Sequence, residues 1–193
     1  MNLGSIPTNT VEVNGIRFET FMPERVLPIP AISSGVRTPV QLGIRITNNT
    51  SNRFRFSFFS ILNIQPELIT PDGQILKAGY ATDRFVLPFE ESDFVLAMPG
   101  EAVTLLPDTL LYWVRNRKKK RDRKLMFTFS IRDNDFSVFQ SLSPGNYQIR
   151  FRYVESVDAV EDYHRYAIDP GVLQEVWAGE IITPLVEFCL VEP

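Results

Sequence analysis

Residues 40–47 read Val-Gln-Leu-Gly-Ile-Arg-Ile-Thr, with an apolar side chain at every even position and a polar or small one at every odd position. This period of two is typical of a β-strand that buries one of its faces. Asn48 and Asn49 follow and mark the end of the strand. The next run, residues 53–58, repeats the pattern with three Phe on one face, and we expect it to be the hairpin partner of the first.

Three later segments, at 125–131, 147–153 and 186–191, alternate in the same way. Each is predicted to be a strand, and the last is expected to be covered on both sides because its second face is also partly apolar. Near the start of the chain, Asn14-Gly15 separates two short apolar-polar runs and favours a two-residue hairpin turn within residues 10–20.

Helix signals are weak. Asp135–Leu142 could form two helical turns and Val172–Trp177 one more, but neither is long enough to cover a parallel sheet. Eight or nine short strands with turn signals between them, such as Pro71-Asp72-Gly73, favour an antiparallel sandwich. The predicted fold is therefore all-β.

Length and composition agree with one folded unit. The 193 residues include 44% hydrophobic and 22% charged residues, a balance typical of globular proteins. No repeat or Gly/Ser linker divides the chain, so residues 1–193 are predicted to form a single domain. Residues 77–100 are the least patterned stretch and are expected to be a long connection or an irregular edge.

Several turn sequences of the chain resemble those of a known protein family. Residues 142–147, Leu-Ser-Pro-Gly-Asn-Tyr, resemble the tyrosine corner of immunoglobulin-like domains, in which a Tyr hydroxyl bonds back to the preceding backbone. Residues 98–103 resemble the entry to a middle strand of bacterial immunoglobulin-like domains, and residues 177–180 with 183–188 are similar to the F to G connection and strand G of those domains. Such domains include the Bacillus-type intracellular proteinase inhibitors. The resemblance implies an immunoglobulin-like β-sandwich with an inserted basic-tipped hairpin. It implies protease inhibition by fold analogy only.

The compartment is predicted from what the sequence lacks. The first fifteen residues have no basic segment followed by an apolar one, as a secretory signal would. No run reaches the roughly 18 apolar residues of a membrane span. Cys189 is the only cysteine, so no intrachain disulfide can form. We expect a cytoplasmic protein without a membrane span.

The most unusual stretch is residues 115–124, with eight basic residues and one acid, a local charge of +7. The whole chain carries −3, so the remainder sums to −10. The run lies between two strand-like segments and is predicted to be a hairpin tip. The candidate binding residues are Arg115, Arg117, Lys118, Lys119, Lys120, Arg121, Arg123 and Lys124.

Two interpretations of this basic run remain open. It could bind nucleic-acid or other phosphates by counterion release, an anionic membrane surface, or an acidic protein partner. It could instead be a solvated loop whose charges prevent strand edges from aggregating. No aromatic residues are interleaved within it to stack on single-stranded bases, and the sequence pI is near 5.3.

The remaining acidic, histidine and cysteine residues do not form a pattern that predicts a catalytic or metal site. The acidic stretch 155–162 is expected to lie in a loop, solvated or paired with the basic run of the same or a neighbouring molecule. Residues 133–135 could bind Ca²⁺, but no complete ligand loop follows. His164 is the only histidine, and Cys189 lies mid-strand as a packed thiol. No catalytic residue, metal or cofactor is predicted.

The predicted function is that of a non-enzymatic protein–protein interaction domain. A sandwich provides a rigid frame whose loops do the recognising, and the candidates are residues 77–93, 115–124 and 155–176. A protease-inhibitor-like module lies within this class. The alternative is anion or nucleic-acid binding at 115–124.

Overall fold

The computed structural model of the chain describes residues 10–32, 35–81, 89–115, 123–132, 135–166 and 175–192, with backbone only at 132 and 162–166. Over these residues the protein is all-β, as predicted, with one α-helix, α1 (Val157–Tyr166), and a 3₁₀ turn at Glu91–Asp93. Within the described ranges, no helix is both long and apolar enough to cross a membrane.

The strands are short, and chain order gives them their numbers. They are β1 (Val11–Val13), β2 (Ile16–Phe21), β3 (Val26–Pro28), β4 (Arg37–Pro39), β5 (Gly43–Asn48), β6 (Phe54–Ser57), β7 (Ile64–Ile69), β8 (Ile75–Leu76), β9 (Gly79–Ala81), β10 (Phe94–Ala97), β11 (Ala102–Leu105), β12 (Asp108–Arg115), β13 (Arg123–Arg132), β14 (Asp135–Leu142), β15 (Gly145–Glu155), β16 (Gly179–Ile182) and β17 (Val186–Val191).

In the described part of the chain these strands form four sheets. A four-stranded sheet has the order β1-β2-β5-β11, a five-stranded sheet β4-β12-β13-β14-β9, and a two-stranded sheet β10-β6. A six-stranded sheet has the order β3-β17-β15-β7-β8, with β16 also paired to β15. Between the named strands, only the β3–β17 pair is parallel. The expected hairpin at residues 10–20 is present as β1–β2, and β2 adds it to the four-stranded sheet.

One antiparallel ribbon connects three of these sheets. Its first side is β4, β5 and β6, and its second side is β12, β11 and β10. The pair Ile44–Leu105 belongs to the four-stranded sheet and the pair Pro39–Leu110 to the five-stranded sheet. Between these pairs each side of the ribbon has five residues, so the pairing register is the same in both sheets. The ribbon therefore carries β12 from the four-stranded sheet into the five-stranded one without a long connection.

Gly43 lies where this ribbon passes from one sheet to the other. A Cβ atom placed on it would overlap the Leu105 carbonyl oxygen, so the two backbones approach too closely for any side chain. On the adjoining stretch the Val40 amide donates to the Thr109 carbonyl at 2.9 Å, which holds the ribbon together at the bend.

The core lies between the six-stranded sheet and the other three, and its largest members are aromatic. Ring centroids of Phe18 in β2 and Phe56 in β6 are 6.1 Å apart, and Phe56 lies 6.5 Å from Tyr153 in β15. On the side of the five-stranded sheet, Phe129 lies 6.2 Å from Phe151. Edge-to-face pairs at these distances add to the free energy that burial of the rings provides.

The contact implied by the tyrosine-corner resemblance is present. The Tyr147 hydroxyl donates to the Ser143 carbonyl at 3.0 Å and accepts from the Ser143 amide at 3.2 Å. The ring itself is buried and stacks on Phe188, with centroids 5.6 Å apart. This hydroxyl therefore fixes the turn that leads into β15.

Three sequence expectations about local structure are wrong. The runs at 40–47 and 53–58 do not form a hairpin with each other, because β5 pairs with β2 and β11 while β6 pairs with β10. Residues 135–142 form strand β14 rather than two helical turns. The helix α1 occupies part of 155–176, where the sequence predicts a loop.

The remaining differences concern strand number and the basic hairpin. The described residues contain more than the expected eight or nine strands, because several additional strands are only two or three residues long. The strands of the basic-tipped hairpin, β12 and β13, are inner strands of the five-stranded sheet. Stretch 77–100 contains β9 and β10, and residues 82–88 lie outside the described residues.

The close approach at Gly43 yields a stability prediction. Gly43→Ala is expected to lower the free energy of unfolding by about 2 kcal/mol or more, because the ribbon backbone must shift to admit the methyl group. Urea denaturation measures this change. Gly79→Ala is the matched control, because the nearest neighbour of its Cβ would be a Val138 side-chain carbon at 3.4 Å. Equal stability of the two variants would contradict the ribbon geometry.

Candidate anion-binding cleft at the root of the basic hairpin

The predicted basic hairpin is present as the pair β12–β13. Its register runs from Asp108–Ser130 to Val114–Lys124 and ends at Arg115–Arg123. The cationic residues between them, Arg117, Lys118, Lys119, Lys120 and Arg121, lie outside the described residues. Three of the eight candidate residues, Arg115, Arg123 and Lys124, are therefore placed at the root of the hairpin.

A cleft of about 320 Å³ opens at this root. Among the described residues, three arginines and two aromatic rings contribute to its walls, and no carboxylate does. The lining residues are Gly35, Val36, Arg37, Tyr112, Trp113, Val114, Arg115 and Arg123. We call this feature the basic cleft.

Arg37 belongs to the basic cleft, although no pattern in the sequence selects it. Strand β4 brings it there by pairing Arg37 with Tyr112, which is 75 residues away in the chain. Its guanidinium carbon lies 5.4 Å from the centroid of the Tyr112 ring, a cation–π contact. Residues 112 and 115 point to opposite faces of β12, so Arg37 borders the cleft from the face opposite Arg115 and Arg123.

Trp113 lines both the basic cleft and a second, mostly apolar one. Its indole Nε1 donates to the Pro30 carbonyl at 2.8 Å, which fixes the ring. The second cleft, of about 340 Å³, is lined by Ile29, Pro30, Ile32, Trp113, Pro144 and Glu192. We call this the Trp113 apolar cleft. The two clefts are neighbours because they share one rigid side chain.

The arginines of the basic cleft differ from several arginines elsewhere in having no carboxylate partner among the described residues. Ion pairs in this part of the chain join Arg45–Glu19, Arg53–Glu175, Arg55–Glu91, Arg150–Glu67 and Arg152–Glu180. Within the same ranges, no carboxylate oxygen lies within 4.0 Å of Arg37, Arg115 or Arg123. The cleft is therefore a local positive field that these residues do not neutralise.

Arg115 and Arg123 also oppose each other directly across the two strands. Directly opposed side chains of an antiparallel pair have Cβ atoms about 5 Å apart, and like charges at this spacing are destabilising. An oxyanion held between two guanidinium groups would remove the repulsion and accept several charge-assisted hydrogen bonds. The arrangement is suited to binding a carboxylate or phosphate.

The acidic stretch 155–162 is divided between the interior and the surface. Glu155, at the end of β15, is buried and accepts hydrogen bonds from the Ser57 hydroxyl and, at 3.3 Å, the Asn63 amide. Asp158 and Glu161 are exposed on α1. The acidic stretch is therefore not wholly solvated, because Glu155 is part of the interior.

The cluster around Glu155 is part of the core rather than a second cleft. The Tyr153 hydroxyl lies 3.2 Å from the Ser57 hydroxyl and donates to the Ser57 carbonyl, also at 3.2 Å. Burial raises the pKa of Tyr153 far above its usual range, so its hydroxyl stays protonated. These groups satisfy one another's hydrogen bonds inside the core.

The remaining candidates acquire no shared site in the described ranges. Asp133 and Asn134 lie outside them, and one oxygen of buried Asp135 accepts the Ile61 amide at 3.0 Å. Cys189 is partly buried, with its amide bonded to the Arg25 carbonyl. The His164 side chain is not described. Across the described residues, no group of three His, Cys, Asp or Glu could hold a metal ion.

Comparison with known proteins gives no match to a family, a curated protein or a solved structure. The resemblance to immunoglobulin-like domains therefore stays a prediction. Function has to be inferred from the residues and geometry of the chain itself.

The opposed arginines provide a stability test of the cleft. Arg123→Glu is expected to raise the free energy of unfolding by about 0.5 kcal/mol at low salt, because an opposite-charge pair replaces a like-charge pair. The gain should shrink at high salt as the charges are screened. Thermal unfolding at two ionic strengths measures it. Arg123→Gln, which only removes the repulsion, should give a smaller gain, and a loss of stability in Arg123→Glu would contradict the register.

Proposed function

We propose that the protein is a non-enzymatic binding domain that holds an acidic segment of a protein partner in the basic cleft. The observation that carries this is the set of three cleft arginines without a carboxylate among the described residues, where five other arginines are paired with glutamates. Aspartate and glutamate side chains fit the cleft because each can accept two parallel hydrogen bonds from one guanidinium.

A protein segment fits this site better than a nucleic acid does. Outside the basic run the chain carries a charge of −10, which repels a long polyanion passing over the rest of the surface. A short acidic segment contacts only the hairpin root and avoids this repulsion. Of the two rings that line the cleft, Tyr112 is already covered by Arg37, which leaves little aromatic surface for stacked bases.

The frame of this binding domain is proposed to be an immunoglobulin-like sandwich in the cytoplasm. The hydrogen bonds between Tyr147 and Ser143 support the first part, because a Tyr bonded to the preceding backbone is a hallmark of that fold. Ring contacts across the core between the five-stranded and six-stranded sheets agree with two packed layers. The hairpin root would then lie at one end of the sandwich, where such domains place their binding loops.

Binding of a fluorescent hexaglutamate peptide tests the proposed function. We expect saturable binding at low salt that weakens steeply as salt is added, since exposed charges are then screened. The triple variant R37Q/R115Q/R123Q should bind about tenfold more weakly or worse. Fluorescence anisotropy reports both effects. A variant with Ser in place of all five basic tip residues measures how much the tip adds to the affinity for hexaglutamate. These residues are Arg117, Lys118, Lys119, Lys120 and Arg121.

The matched control is R45Q/R53Q/R152Q, which removes the same charge from arginines outside the cleft. It should leave hexaglutamate affinity almost unchanged. Equal losses in the two triple variants would show that net charge alone is responsible and would overturn the cleft as the site. Binding of single-stranded DNA or inorganic phosphate with no binding of hexaglutamate would overturn the protein-partner proposal in favour of the alternative anion.

A further inference from the structure

Helix α1 carries the opposite charge to the basic cleft on an exposed face. Asp158 and Glu161 are three residues apart, so they lie side by side on that face. Among the side chains that the structure describes, which end at Glu161 on this helix, neither carboxylate lies within ion-pair distance of a basic group. The other face of the helix is packed against the protein, because Ala159 and Val160 contact the apolar cluster around Phe94.

The beginning of this helix is well fixed and partly apolar. Ser156 caps it, because the Ser156 hydroxyl accepts the Ala159 amide at 3.0 Å. Val157 follows and is 63% exposed, among the most exposed large apolar side chains in the described residues. Helix α1 therefore presents an acidic pair with an aliphatic residue beside it.

The acidic helix and the basic cleft lie at opposite ends of the molecule. Pro144 lines the Trp113 apolar cleft, and β15 begins at the next residue. The eleven residues of β15 then run to Glu155, two residues before α1 begins. An extended strand rises about 3.3 Å per residue, so the two sites are on the order of 30 Å apart. Asp158 and Glu161 cannot reach the cleft of their own molecule.

The two surfaces match in apolar as well as charged groups. The basic cleft and the Trp113 apolar cleft share the Trp113 ring, so a segment with acidic and aliphatic side chains could fill both at once. Ile32, in the second cleft, is 61% exposed. On α1, Val157 supplies the aliphatic group, and Asp158 and Glu161 supply the carboxylates.

We propose that the acidic partner of the basic cleft is helix α1 of a second copy of this chain. This rests on the proposed function, because it names the occupant of the same cleft. Cleft and helix are different surfaces at opposite ends, so the contact is head-to-tail, and repetition generates a ring or an open filament. Each added copy leaves one free cleft and one free helix. Surface charges of opposite sign would also speed the encounter of copies at low salt.

Sedimentation of complementary neutral variants tests this proposal. Wild-type protein should form species larger than a dimer as concentration rises at low salt, and these should dissociate at high salt. D158N/E161Q keeps the cleft and loses the acidic pair, while R115Q/R123Q keeps the helix and loses two cleft charges. Each variant alone is expected to sediment as a monomer. Their equimolar mixture is expected to form a dimer and nothing larger. The intact cleft of one variant can bind the intact helix of the other, and no further intact surface is left to extend the assembly.

Matched controls change the same charge elsewhere. E12Q/E187Q and R45Q/R152Q should assemble like the wild type, and circular dichroism should show that every variant is folded. Wild-type protein that stays monomeric at all concentrations, while hexaglutamate still binds the cleft, would overturn self-association and leave the proposed function in place. If the wild-type protein stays monomeric and hexaglutamate does not bind either, the proposed function is overturned as well. A mixture that remains monomeric would overturn the head-to-tail contact.

Discussion

The register between β12 and β13 is the constraint on which the site depends. Buried side chains alternate along both strands, with Leu111 opposite Phe127 and Thr109 opposite Phe129. A slip by one residue would turn these side chains to solvent, so burial fixes the pairing strongly. The same register continues past the end of the core and sets Arg115 opposite Arg123. Core packing thereby holds two like charges together at the hairpin root.

Several charges on the sheets are neutralised by local ion pairs, whereas the charges of the hairpin root and of α1 are not paired among the described side chains. Exposed ion pairs on the sheets contribute little to stability, but they leave fewer free charges there. Among the described side chains, the arginines at the hairpin root and the exposed carboxylates Asp158 and Glu161 of α1 have no ion-pair partner. Retaining an unfavourable arrangement in a stable frame is typical of a binding surface, where a partner supplies the missing charges.

Sequence patterns predict the parts that local interactions determine. Alternation identifies β5, β13 and β15, and Asn14-Gly15 adopts the positive φ angles of the expected turn. Strand β14 is missed because Ser137, Val138 and Phe139 are consecutive and all buried, which hides the period of two. The pairing of β5 with β11, and the position of Arg37 beside Tyr112, join segments more than fifty residues apart. No local signal specifies such contacts, so the sequence reveals the basic run but not its cleft.

The central claim is that the arginines of the basic cleft, and not net charge, form the binding surface. It is tested most directly by following the Nε–Hε resonances of the arginine side chains by NMR as hexaglutamate is added. The account predicts that Arg37, Arg115 and Arg123 shift together and saturate, while Arg45 and Arg152 stay in place. Shifts of equal size at all five, or shifts confined to the paired arginines, would contradict it.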